Sequence, residues 1–155
     1  RSNVAQMTWS ELEGGVWTIP ASKMKATRPD RAKAHEVPLS DRLASIVAAQ
    51  PRVCEFVFTS RDGKAIVPGS KLKARISEQA ELSDWRWHDV RRTAATLMAS
   101  RRVTRFVVER VLGHSDSSIT AIYDRSGYRD EKRAALEVLA GTVPPLRMPE
   151  GIADA

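Results

Sequence analysis

A chain of 155 residues with 42% hydrophobic content is long and apolar enough to bury a core, which excludes a disordered polyelectrolyte. Its formal net charge of +6 suits either a solvated basic surface or a nucleic-acid footprint. No apolar run reaches the length of a bilayer span or forms a signal-peptide core, and the single cysteine, Cys54, excludes an internal disulfide and a cysteine zinc cluster, so a reducing cytoplasm is the expected setting and no membrane the expected partner.

Taken in order, Arg1-Ser2-Asn3-Val4-Ala5-Gln6-Met7 reads as part of a helix already under way, with Val4, Met7 and Trp9 on its buried side. Glu11 to Gly15 reads as a turn, and Val16-Trp17-Thr18-Ile19 alternates as a strand. From Ser22 to Ala34, Lys23, Lys25, Arg28, Arg31 and Lys33 stand against Asp30 alone, and Glu36-Val37-Pro38-Leu39 reads as the return strand. The result is a hairpin with a basic tip, on which His35 is a surface residue. Ser40 or Asp41 caps a short helix through Ala49, stopped near Pro51. Cys54 reads as a small buried filler, Val57-Phe58 as a candidate third strand, and Arg61 to Lys64 as a turn.

Ser70 to Gln79 is expected to be helical, with Leu72 and Ile76 four apart; its Lys71, Lys73 and Arg75 form either a solvated face or phosphate contacts. The central stretch is Trp87 to Met98. There Val90, Ala94, Leu97 and Met98 fall at i, i+4, i+7 and i+8, one apolar helix face. His88 and Arg91 are neighbours on that helix, and a protonatable ring beside a fixed cation suits the oxygens of a phosphodiester. Asp89 lies in the first turn, where a carboxylate suits the helix dipole. Val103 to Leu112 is the next helix, with Phe106, Val107, Val111 and Leu112 inward and Gly113 ending it. A short helix is expected to hold Ile119, Ile122 and Tyr123. Asp130 caps a last helix to Leu139 or Ala140, closed by Gly141, and residues 144–155 form a Pro-rich, polar, flexible tail. The pattern predicts a mainly α fold with a small antiparallel sheet at one edge, built from the Val16 and Val37 strands.

His88-Asp89-Val90-Arg91, then Leu112-Gly113-His114, then Tyr123 nine positions on, resembles the catalytic domain of tyrosine recombinases, the phage-integrase family. Met7-Thr8-Trp9 and Val37-Pro38-Leu39 are similar to further landmarks of that family, and the stretch from Tyr128 to Leu139 looks most like integrases of phages and genomic islands. The resemblance implies the catalytic-domain fold of that DNA breaking-rejoining group over residues 1–143. It also implies a first catalytic arginine at the head of the opening helix, which is either a residue preceding Arg1 or Arg1 itself.

A tyrosine phenol, with a reference pKa of about 10, is a poor nucleophile until its proton is accepted and the phosphorane-like charge is neutralised. Phosphoryl transfer rests on positioning and electrostatics, which a site crowded with Arg, Lys and His supplies. By resemblance, Tyr123 forms the 3′-phosphotyrosyl link and releases a 5′-hydroxyl, and Arg91 holds the non-bridging oxygens. His114 hydrogen-bonds the same phosphate and His88 shuttles the tyrosine proton. Lys25 protonates the leaving oxygen, with Lys23 in reserve. Neither a cofactor nor a metal is implied. Arg28, Arg31, Lys71, Lys73 and Arg92, with Lys23, are the candidate DNA-backbone contacts.

The implied partners are double-stranded DNA attachment sites, other protomers in a tetramer on DNA, and accessory DNA-bending proteins. The helix from Asp130 to Leu139 is a candidate for packing onto a neighbouring protomer. Tyr128, five residues past Tyr123, is a decoy for the nucleophile. Two other readings stand beside integration or excision of mobile DNA: a DNA-binding domain without catalysis, and a type IB topoisomerase, which the Leu-Gly-His segment fits less well. His88 with His114 as a metal pair lacks a third ligand at recognisable spacing.

Overall fold

The computed structural model describes residues 2–24, 33–60, 62–67, 69–113 and 128–144. A small antiparallel sheet orders its strands β1 (Leu12–Glu13), β2 (Val16–Ile19) and β3 (His35–Pro38) consecutively. Among the described residues six α-helices accompany it: α1 (Ser2–Ala5), α2 (Asp41–Ala48), α3 (Ser70–Gln79), α4 (Trp87–Ser100), α5 (Arg105–Val111) and α6 (Arg129–Thr142). The expectation of a largely helical chain with a small antiparallel sheet is met. No helix among the described residues is long and apolar enough to cross a membrane.

The sheet forms where glycine permits a tight reversal. Gly14 and Gly15 have φ of +55° and +75°, the conformation a two-residue hairpin needs at both central positions. What read as a plain turn therefore contains a strand, and Leu12 and Glu13 register against Trp17 and Val16. β2 pairs with β3 from Val16 opposite Pro38 to Ile19 opposite His35. Trp17 and Ile19 alternate into a core with Met7, Leu39 and Val57. Val57-Phe58 adds no strand to this sheet; the nearby pairing consists of single bridges, Thr8 to Phe56 and Thr59 to Ala65. The opening helix is one turn, because the chain then runs extended beside residues 55–57: Trp9 N–H donates to the Glu55 carbonyl at 3.0 Å and Val57 N–H to that of Met7 at 2.9 Å. Helical spacing stops there, so Ala5 and Met7 are buried while Val4 is exposed.

A second core gathers Met98, Val108 and Ala135 from α4, α5 and α6, with Ala95, Val103, Val111 and Leu139 around them. Among the described residues the packing of the α4 apolar face centres on Ala95 and Met98, and Val90 near the other end is 57% exposed. Thr104, whose Oγ accepts from Val107 N–H, starts α5 later than the apolar run suggested, and Val108 rather than Phe106 is its buried residue. Gly141 does not close α6 but lies inside it. The helix packs against β3, α2, α4 and α5 of its own chain. Residues 145–155 of the anticipated tail lie outside the described residues.

Candidate active site

Trp87 begins α4, and the turn before it is held by Asp89, whose Oδ2 accepts the Arg86 N–H at 2.8 Å. That carboxylate closes an orphan donor at the positive helix end. Its other oxygen lies 3.9 Å from Arg92, an exposed pair of small energetic weight. His88 is exposed and Arg91 half-buried one turn on. Arg91 reaches across to α5, where its Nη2 donates to the Leu112 carbonyl at 2.6 Å. This bond brings the His-x-x-Arg stretch against the turn that leads into Leu112-Gly113-His114.

The end of α5 is fixed by its own bonds, Leu112 N–H to the Val108 carbonyl at 3.0 Å and Gly113 N–H to that of Arg110 at 3.1 Å. Gly113 stands at φ +69°, a left-handed conformation, so it closes the helix as its position suggested. The His35 ring borders this turn. A Cβ there would sit 3.4 Å from Nε2 of His35 and 3.5 Å from two of its ring carbons. His35 is therefore not the surface residue its basic surroundings suggested. It is half-buried on β3, with its ring against Gly113 and hydrogen-bonded to the Val111 carbonyl. Burial lowers its pKa from the ordinary value of 6.5, and the charges of Lys132 and Arg91 lower it further. The Val111 bond opposes them without prevailing.

The remaining candidates are placed apart from this junction. Lys23 ends a short 3-10 turn, where its ammonium bonds the Glu11 carboxylate and, at 2.7 Å, the Gln6 carbonyl. Glu11 also accepts from Trp17 Nε1 at 3.0 Å and from Thr8 N–H. Burial works against its ionised form, but the bonds from Lys23, Trp17 and Thr8 outweigh that and hold its carboxyl below the usual range. Lys23 thus has a role inside the fold. On α3, Lys71 is exposed, and Lys73 lies 5.5 Å over the Trp85 ring. Trp85 in turn donates to Ser77 at 2.8 Å and meets Trp87 edge-on, tying α3 to the start of α4.

Tyr128, the decoy, caps α6 with its ring edge-on to Phe106 at 4.9 Å and beneath Arg110. These contacts give it a packing role. Arg1, Lys25, Arg28, Arg31, His114 and Tyr123 lie outside the described residues. Sequence reasoning missed His35, although its place two residues before Val37 puts both on one face of a strand.

The site joins an arginine of α4 to the C-terminal end of α5, in a chain with helices and a small antiparallel sheet. The model of the phage integrase family matches residues 1–129, and the chain belongs to that family, the tyrosine recombinases. It is similar to the prophage integrase IntZ of Escherichia coli (strain K12), with 30% identity over 152 residues. That alignment covers 89% of this chain and 36% of IntZ, so the chain spans little more than a third of that relative. The comparison with solved structures gave no significant match.

Proposed function

We propose that the chain is the catalytic domain of a site-specific DNA recombinase. In this reading residues 1–143 adopt the catalytic-domain fold of tyrosine recombinases, and the domain cleaves and rejoins DNA through a 3′-phosphotyrosyl intermediate to integrate or excise mobile DNA. The observation that carries the reading is the Arg91 bond to the Leu112 carbonyl at 2.6 Å, which joins two separately recognised motifs in one place. One guanidinium nitrogen anchors the side chain there, and the others remain to neutralise charge on a phosphate.

In the proposed reaction the Tyr123 phenol gives its proton to His88 as its oxygen attacks the phosphorus. The pentavalent charge is held by Arg91 and His114. Lys25 gives its proton to the departing 5′-oxygen, and the first arginine is Arg1 or the residue before it. Attack by a 5′-hydroxyl of another strand reverses these steps, so the phosphodiester energy is conserved in the tyrosyl link. The DNA duplex, sister protomers in a tetramer and DNA-bending accessory proteins are the proposed partners, in the cytoplasm. Lys71, Lys73 and Arg92 are the proposed backbone contacts among the described residues, and Arg28 and Arg31 those of the basic hairpin.

The test is a nicked attachment-site duplex whose cleavage traps a covalent adduct on denaturing gels. It is run with this chain and with a version extended upstream. Adduct that disappears in Tyr123→Phe while DNA binding persists supports the proposal. Salt-sensitive DNA binding with no adduct from either version replaces it with the non-catalytic reading.

A further inference from the structure

Two elements grip the end of α5. Arg91 from α4 takes the Leu112 carbonyl, and His35 from β3 takes that of Val111. The His35 ring also lies on the bare Cα of Gly113. Behind the ring stands α6, whose buried Lys132 donates to the Glu36 carbonyl at 2.8 Å, while Arg129 pairs with the Glu36 carboxylate at 2.8 Å. The last carbonyls of a helix have no partner within it, so two of the α5 orphans are closed from outside by side chains of different elements.

We propose that His35 is a positioning residue of the phosphoryl-transfer site, fixing the Val111–Gly113 turn from the strand side so that Arg91, anchored on that turn, is presented to the phosphate. The inference rests on the recombinase reading above. The chemistry asks for a neutral, flat donor at this place. The ring lies against Gly113, and a second cation between Arg91 and Lys132 would be repelled by both. Imidazole in its neutral form meets each demand, and its lowered pKa agrees with that form. The charged groups facing it are Arg91 from α4 and Lys132 from α6, with Glu36 and its partner Arg129 next along β3.

The experiment compares wild type, His35→Gln and His35→Phe in single-turnover adduct formation between pH 5 and 8, with DNA binding measured alongside. His35→Phe keeps a flat ring and loses the donor; His35→Gln keeps a neutral donor and loses the titration. The expected result is a fall of roughly 10- to 100-fold in cleavage rate for His35→Phe at unchanged DNA affinity, with His35→Gln within about threefold of wild type. Below pH 6.5 the wild-type rate should fall more steeply than that of His35→Gln, because protonation sets a third cation beside Arg91 and Lys132. Equal rates in all three proteins overturn the inference. So do equally impaired variants that keep the wild-type pH profile, which would show that the ring only fills space.

Amide exchange at Leu112 and Gly113 separates this question from the recombinase reading. If neither this chain nor the version extended upstream forms adduct, that reading fails. The grip is then judged by whether protection at these amides is lost in His35→Phe and kept in His35→Gln. Unchanged protection in His35→Phe refutes it.

Discussion

The two cores of this molecule are built alike, but the seam between them is not. Around Trp17 the sheet side buries Met7, Ile19, Leu39 and Val57, and around Met98 the helical side buries Val108 and Ala135. Each is apolar side chains at the period of their element, two along the strands and 3.6 along the helices. Where β3 and α2 meet α6 the contacts are polar. Lys132 and Arg129 hold Glu36, Glu137 accepts the Asp41 N–H at 2.8 Å, and Arg133 pairs with Asp41 at 3.1 Å. Arg42 donates to the carbonyls of Ala140, Val143 and Pro144, closing the C-terminal end of α6. Apolar cores set where the elements form, and the polar seam sets how the two halves meet. The candidate site lies on that seam, since His35 belongs to the sheet while Arg91 and Gly113 belong to the helices.

The cores should respond most strongly to truncation. Trp17→Ala removes a 6% exposed ring together with the Nε1 bond to Glu11, and a loss of about 3–5 kcal/mol is expected in urea denaturation. Met98→Ala, at a fully buried position, should cost about 2–5 kcal/mol. If the seam couples the halves, each variant unfolds in one transition seen alike by fluorescence and circular dichroism. Two separate transitions would break the comparison into independent units.

The seam itself is tested by Lys132→Met, which fills similar volume but leaves the Glu36 carbonyl without its 2.8 Å donor. A loss of about 1–3 kcal/mol is expected, smaller than for either core. A variant as stable as wild type would show that the buried ammonium contributes orientation alone.

Acid should then separate the regions by pH. The pKa values of His35 and Glu11 are both lowered in the folded chain, from 6.5 and 4.5. A group with a lowered folded pKa contributes fully above its unfolded value, and the contribution is lost as pH falls toward the folded one. The seam should therefore loosen first, below about pH 6.5, and the Glu11 cluster only below about 4.5. Amide exchange at Gly113 and Trp17 as pH is lowered reads the order, and simultaneous loss would contradict it.

What could be read from the chain follows the same division. The β2 and β3 pairing, the Ser40 cap, α3, α4 and the Gly113 stop are all local patterns, and all appear in the fold. The misses are places where distant partners decide. The extended stretch after Ala5 exists because residues 55–57 pair with it, and Val90 is exposed while the packing of α4 among the described residues centres on Ala95 and Met98. His35 sits among basic residues and read as surface; only the fold brings α4, α5 and α6 to it. Lys132 and Glu36 are 96 residues apart, and no local spacing announces their contact.

The smallest expected effects grade the seam against an open surface. Ser40 is fully buried where β3 hands over to α2, and its Oγ accepts the Leu43 N–H at 3.3 Å. Ser40→Ala keeps the volume but strips one orphan donor of its partner, at a cost of about 0.5–2 kcal/mol. The Arg105–Glu109 pair, at 2.7 Å, is shorter yet lies on the outer face of α5, with Arg105 almost wholly in solvent. Water and salt screen it there, so Arg105→Ala should change stability by less than the Ser40 variant. The measurement is paired urea melts of the two variants. The shorter contact should prove the weaker one, because desolvation rather than length decides what a polar interaction contributes. The reverse order would mean that the surface of α5 is held by more than its own i, i+4 pair.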